Sequence, residues 1–248
     1  MLGVNGKPFE NIDHLIDLDA LALVNEEILW GLAMTEPAYS EGKEYSRGDC
    51  VEELYDHRYK DVKYAEDQLT EEEIERLRSA QPNGSQFKRY LMYAKGAYFP
   101  WCAVQSLLHP TDWHSKHSGE GKSPTADALT YFQKTLHFCY SLPMFKEIGR
   151  IAIFGVLPGH HAPCHRDSNP ARYSKSKYDH LVMFSPLQNK LAYIYDEQSK
   201  VKHYPNSQAY VFNDLDYHGA DALPYFTYNF RVDGTYTDEF REQMDFGR

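Results

Sequence analysis

The sequence predicts an α+β chain in which a mainly helical first half flanks a β-sandwich or jelly roll built by the second half. Three observations carry that expectation. Apolar residues recur at helical spacing in the first half, and short segments rich in β-branched and aromatic residues follow from about Arg150. Aromatic residues make up 15% of the chain, with 20 Tyr, a usage that suits pleated, half-buried surfaces.

Each element follows from a local signal. Leu15, Leu18, Leu21, Ala22, Ile28, Leu29 and Leu32 recur at helical spacing within 12–34 and predict a first helix. The charged stretch 41–67 shows little periodicity and reads as a surface excursion. Thr70-Glu71-Glu72-Glu73, preceded by Leu69, fits a capping box with a staple and opens a second helix. Its acidic first turn complements the helix dipole, and Gln81-Pro82-Asn83-Gly84 ends it. Residues 98–107 read as an early strand. Ser123-Pro124, a cap followed by proline at the first helical position, predicts a third helix to about Ser141. Strands are expected at 151–157, 180–187, 190–195, 210–213 and 225–232, with turns at Gln188-Asn189 and 196–200.

Bulk properties bound the function. At 248 residues, with 42% hydrophobic and 25% charged residues, the chain suits one soluble domain over 1–248. A formal net charge of −10 argues against a general nucleic-acid binder, which needs clustered Lys and Arg. Cys50, Cys102, Cys139 and Cys164 are scattered without CxxC pairing, so neither a disulfide framework nor a cysteine zinc site is expected. No segment reads as a signal peptide or membrane span, so a cytoplasmic protein without a membrane partner is the expectation.

The candidate chemistry lies in His165-Arg166-Asp167, in His218 and in Arg231. In an extended segment residues i and i+2 share a face, so His165 and Asp167 can offer two ligands to one ion. His218 follows 51 positions after Asp167, room enough for the intervening hairpins to bring it back. Two imidazoles and one carboxylate form the face that holds non-haem Fe(II) with coordination positions open, which suggests an oxygen-activating enzyme. On the strand at 225–232, Tyr225, Thr227, Asn229 and Arg231 share one face and Phe226, Tyr228, Phe230 and Val232 the other. An arginine beside hydroxyl groups suits a carboxylate held by the guanidinium with Thr227 assisting. His180 stands where it can touch cosubstrate or substrate. The plain alternative is that both histidines are satisfied polar residues and Arg231 is salt-bridged.

Other residues are open to two readings. His160 and His161 are either extra ligands or solvated loop residues. Cys164 is expected on the face opposite His165, as a small buried residue. The polar loop 109–121, carrying Trp113, is either a substrate lid or a connection. Tyr193 and Tyr195 share a strand face and either line the barrel or pack in the core.

The order of a Pro-Gly turn, HxD, about fifty residues, His and then Arg on the next strand resembles the Fe(II)/2-oxoglutarate-dependent oxygenases. The resemblance covers 150–236, and the helical first half adds no motif. It implies a double-stranded β-helix core, jelly-roll or cupin-like, in which 148–236 binds metal and cosubstrate and 1–147 supplies the helical flank and first strands. It implies Fe(II) on His165, Asp167 and His218, the distal carboxylate of 2-oxoglutarate on Arg231, and O₂ as co-reactant. Residues 172–186 resemble the aspartyl/asparaginyl β-hydroxylase group, and the frame is also similar to enzymes that hydroxylate or halogenate free amino acids. Halogenating members carry Gly or Ala where this chain has Asp167, so hydroxylation of a small polar substrate, an amino acid or derivative, is the expectation. The competing readings are a peptidyl Asp/Asn hydroxylase, a cupin-like metalloenzyme that does not use 2-oxoglutarate, and a metal-free jelly-roll binding module.

Overall fold

The computed structural model describes residues 1–35, 69–80, 103–109, 116–156, 159, 161–167, 181–188 and 190–246. The expectations for 41–67, the helix stop at Gln81-Pro82-Asn83-Gly84, Trp113, His160 and His180 fall outside those residues.

In chain order the first half holds β1 (Phe9–Asn11), α1 (Leu18–Met34), α2 (Glu71–Ala80), β2 (Ala103–Ser106), β3 (Leu108–His109), β4 (Ser123–Pro124), α3 (Ala126–Tyr131) and α4 (Gln133–Tyr140). The strands β5 (Phe145–Val156), β6 (Ala162–His165), β7 (Leu181–Phe184) and β8 (Ala192–Asp196) follow. The chain continues through β9 (Val201–His203), β10 (Ala209–Phe212), β11 (Tyr217–Ala220), β12 (Thr227–Tyr236) and α5 (Asp238–Gln243). A larger antiparallel sheet runs β1-β10-β7-β12-β5-β2 and a smaller one β6-β11-β8-β9. From β5 onward the chain passes back and forth between the two sheets, and only β8 and β9 are consecutive within one.

Period-2 alternation gives the larger sheet two different faces. Tyr228, Phe230 and Val232 of β12 join Ile151, Ile153, Val182, Phe184 and Val211 in a core capped by the helices. Phe184 and Phe230 stack at 4.6 Å, and Phe138 of α4 meets both edge-on. Glu27 of α1 accepts from the backbone N–H groups of Lys134 and Thr135 at 2.8 and 2.7 Å, tying α1 to the start of α4. On the opposite face Leu181, Met183, Tyr210 and Phe212 meet Ile194 of the smaller sheet.

Several expectations stand and several need correction. The capping box is present: the Thr70 N–H donates to Glu73 at 2.8 Å, and the Glu73 N–H to the Thr70 hydroxyl at 3.2 Å. The first helix buries Leu21, Val24, Ile28 and Gly31, whereas Leu18, Ala22 and Leu29 are exposed. Ser123 and Pro124 form a strand paired with β3, and the cap is Thr125, whose hydroxyl accepts from the Ala128 N–H at 3.0 Å. The expected single helix then breaks at Phe132 (φ −133°, ψ 33°). The ring of Phe132 is fully buried against Gly31, where a Cβ would stand 2.5 Å from it, so core packing overrides helical continuity. Strands β1, β9 and β11 and helix α5 are additions to the expected set. Among the described residues no helix is long and apolar enough to cross a membrane.

Candidate metal centre

β6 is buried along its whole length and ends on His165, which is 1% exposed. Directly across the ladder lies His218 of β11, whose other neighbour is Ile194. Both histidines therefore project between the sheets. Asp167 stands two residues past His165, and its N–H donates to the Asp214 carbonyl at 3.0 Å. That bond ties the residue to the turn leading into β11. The turn is itself closed by Asn213, whose side chain accepts from the Leu215 N–H at 3.2 Å. It is clamped further by Asp216, whose carboxylate accepts from the N–H groups of Leu2 and Gly3 at 2.5 and 2.6 Å.

His165, Asp167 and His218 offer three ligand atoms that all lie within 4.8 Å of one another. Asp167 Oδ1 is 3.6 Å from His165 Nε2 and 3.7 Å from His218 Nε2. The two rings are 4.5 Å apart, centroid to centroid. Nδ1 of His165 lies 2.7 Å from the Pro163 carbonyl, and Nδ1 of His218 lies 2.9 Å from the Asp216 carbonyl. A carbonyl only accepts, so each Nδ1 carries the proton and each Nε2 presents a lone pair to the shared space. Burial, reinforced by the neighbouring His165, lowers the pKa of His218 to about 4, so it is a neutral ligand across the physiological range. Two imidazole nitrogens and one carboxylate oxygen fit a divalent iron site.

Arg231, buried on β12, faces this cluster from the larger sheet. It donates to Asp167 Oδ2 at 2.8 Å, to Asp233 at 2.8 Å and to Asp214 at 3.2 Å. Burial opposes its charge, but the three carboxylates outweigh burial and hold its pKa up. Asp233 is shared with Arg150 at 2.8 Å and Asp214 with Lys116 at 2.9 Å. The structure thus brings all four sequence-flagged residues together. It sets Arg231 against Asp167, with three carboxylates around the guanidinium. Thr227 lies on the same face, buried opposite Val156, four residues along the strand from Arg231.

Of the remaining candidates, Cys164, Tyr193 and Tyr195 resolve as packing. Cys164 is buried with Tyr193, Tyr195 and Tyr217 on the outer face of the smaller sheet, and the guanidinium of Arg166 lies 4.5 Å over the Tyr217 ring. Sequence reasoning missed Asp214, Asp233, Arg150 and Lys116. Only Asp233 carried a signal, because it follows Arg231 at the next same-face position of β12.

No family model matches the chain, and no curated protein does. Similar solved structures include the viral collagen prolyl hydroxylase of Paramecium Bursaria Chlorella virus-1 in its 2OG complex. It is 10% identical with a TM-score of 0.38, over 92% of this chain and 96% of that one. A Pseudomonas putida prolyl-4-hydroxylase is 8% identical with a TM-score of 0.40, over 92% of each chain. An oxidoreductase of the 2OG-Fe(II) oxygenase family from Burkholderia pseudomallei is 13% identical with a TM-score of 0.31, over 52% of this chain and 66% of that one.

Proposed function

We propose that this chain, acting as one domain, is an Fe(II)- and 2-oxoglutarate-dependent dioxygenase that hydroxylates an unactivated C–H bond of a small polar substrate, an amino acid or derivative. The observation that carries the reading is the convergence of His165, Asp167 and His218, with both ring Nδ1 atoms committed to backbone carbonyls. The passage of the chain between two antiparallel sheets supports a double-stranded β-helix, the frame in which such a triad sits between the sheets. When bound, Fe(II) together with 2-oxoglutarate supplies the oxygen activation and the oxidising power. The protein does the rest. His165 and His218 would hold the metal through Nε2, while Arg231 takes Asp167 Oδ2 and leaves Oδ1 turned toward the histidines. Leu181, Met183, Phe212 and Ile194 line the space between the sheets and keep water out. Asp167 itself favours hydroxylation, because a carboxylate fills the position that a halide would need.

One observation favours a second reading, a metalloenzyme of the same frame that does not use 2-oxoglutarate: the guanidinium of Arg231 already carries three carboxylates. One experiment separates the two and identifies the substrate. Amino acids and short peptides are screened with purified protein and Fe(II) for substrate-stimulated release of succinate from 2-oxoglutarate. Turnover is expected, and its loss in Asp167→Ala and His218→Ala; wild-type turnover in both variants overturns the assignment.

A further inference from the structure

Two of the three residues of the metal cluster hang on one short turn. The turn, 213–216, closes through the Asp216 N–H, which donates to the Asn213 carbonyl at 2.9 Å. The Asp214 carbonyl accepts from the Asp167 N–H at 3.0 Å, and the Asp216 carbonyl lies 2.9 Å from Nδ1 of His218. Any rotation of this turn therefore moves the backbone of Asp167 and the imidazole of His218 together.

The side chain of Asp216 fixes the turn from outside the cluster. It is 5% exposed, and its carboxylate accepts from the successive backbone N–H groups of Leu2 and Gly3. Hydrogen bonds to an ionised acceptor are roughly twice as strong as neutral ones. A left-handed residue helps successive N–H groups face one anion, and Gly3 has φ +72°. Glycine is required there, because a Cβ would stand 2.4 Å from the Lys7 carbonyl oxygen.

The segment that offers these N–H groups has its own anchors. Val4 and Lys7 exchange backbone hydrogen bonds at 2.8 and 2.9 Å, and Val4 is fully buried. The Asn5 N–H donates to the Asp245 carbonyl, and the Asp245 N–H to Asn5 Oδ1, at 2.7 Å each. Beyond Lys7 the chain enters β1, where Phe9 lies opposite Phe212 of β10. The Phe212 ring in turn packs edge-on against the His218 ring at 4.9 Å. The segment 2–11 thus supports His218 by two routes, through the turn and through Phe212.

We propose that Asp216 is a positioning residue for the metal centre: its carboxylate, seated on the Leu2 and Gly3 backbone, fixes the turn whose carbonyls orient His218 and Asp167. The seating of a segment outside the cluster then sets metal affinity. The proposal rests on the metal-centre part of the oxygenase reading and holds whichever cosubstrate the centre takes.

The test separates positioning from stability. Variants are titrated with Mn(II) at a temperature where each is folded. Gly3→Ala unseats the segment at a distance from the cluster, and Gly31→Ala lowers stability from the helix-side core. Asp216→Ala is expected to weaken Mn(II) binding roughly 10- to 100-fold, with Asp216→Asn, which keeps one acceptor oxygen, in between. Gly3→Ala is expected to weaken it by a smaller factor, and Gly31→Ala to match wild type. In metal-free protein, NMR of isotope-labelled histidine follows the Nδ1 proton of His218. Its exchange with water is expected to quicken in Asp216→Ala and Gly3→Ala and to stay slow in Gly31→Ala. Wild-type Mn(II) affinity in folded Asp216→Ala, or a loss in Gly31→Ala as large as in Gly3→Ala, overturns the positioning role. Should Asp216→Ala fail to fold, Gly3→Ala decides alone, and wild-type affinity there overturns it. If wild-type protein binds no Mn(II), the metal centre and this proposal fail together; Mn(II) binding without succinate release in the Fe(II) assay fails the oxygenase reading alone.

Discussion

Two ring hydrogen bonds decide what His165 and His218 can do, because fixing a proton on Nδ1 frees Nε2 for a metal. Asp167, the third member of the cluster, is held by Arg231, which leads to a prediction at this scale. Arg231→Met leaves the buried Asp214 and Asp233 and the part-buried Asp167 around a missing cation, at an expected cost of about 3–5 kcal/mol. Arg231→Lys keeps the charge but loses the planar fork, so metal affinity is expected to fall roughly 10- to 100-fold with a smaller loss of stability. Urea unfolding and metal titration read the two effects; unchanged metal affinity in Arg231→Lys would falsify the positioning role. The pairing of His165 with Asp167 was legible in the sequence because i, i+2 spacing in an extended segment is itself a geometric statement. The partners of Arg231 were not, because Asp214 and Lys116 reach it through turn and loop conformations that leave no periodic trace. Lys190 read as an ordinary lysine at a strand start, since nothing in sequence shows whether an ammonium turns inward.

At the scale of the element, β11 shows how closely the site and the sheet are coupled. Gly219 sits between His218 and Ala220, and a Cβ there would lie 2.7 Å from the Tyr193 hydroxyl and 2.8 Å from the Ala162 carbonyl. The carbonyl belongs to β6, the strand that ends on His165, so accommodating a methyl shifts one histidine strand against the other. Gly219→Ala is expected to cost about 1–3 kcal/mol and to weaken metal binding as well. Gly31→Ala presses on Phe132 in the helix-side core and is expected to lower stability by a similar amount with metal affinity intact. Thermal melts paired with metal titrations separate them, and equal metal affinity in both variants rejects the coupling. The same packing explains which elements the sequence disclosed. β12 was legible because its two faces meet different surroundings, polar at Thr227, Asn229 and Arg231 and apolar at Tyr228, Phe230 and Val232. β11 was not: Tyr217-His218-Gly219-Ala220 is short, and it owes its strand to pairing with β6 and β8. The break at Phe132 was hidden for a related reason, since the glycine that receives the ring lies about a hundred residues earlier.

Over the whole molecule, a chain with a formal net charge of −10 keeps a cluster of cations between and beside its sheets. Arg150, Arg231 and Lys116 are matched by Asp233, Asp167 and Asp214. Among the described residues the part-buried Lys190 has only the Phe154 carbonyl, and the imbalance carries a sign that can be tested. Its folded pKa of about 7 lies below the ordinary lysine value of 10.5. Between those two values the unfolded chain holds a proton that the folded chain has released, so stability rises with pH across that window. Below it both states are protonated and the full cost of burying the charge remains; above it neither is, and the cost vanishes. Lys190→Met is therefore expected to melt several degrees above wild type at about pH 6, with the gain shrinking to nothing at about pH 10. A gain that does not change with pH would mean that the methionine acts through packing alone.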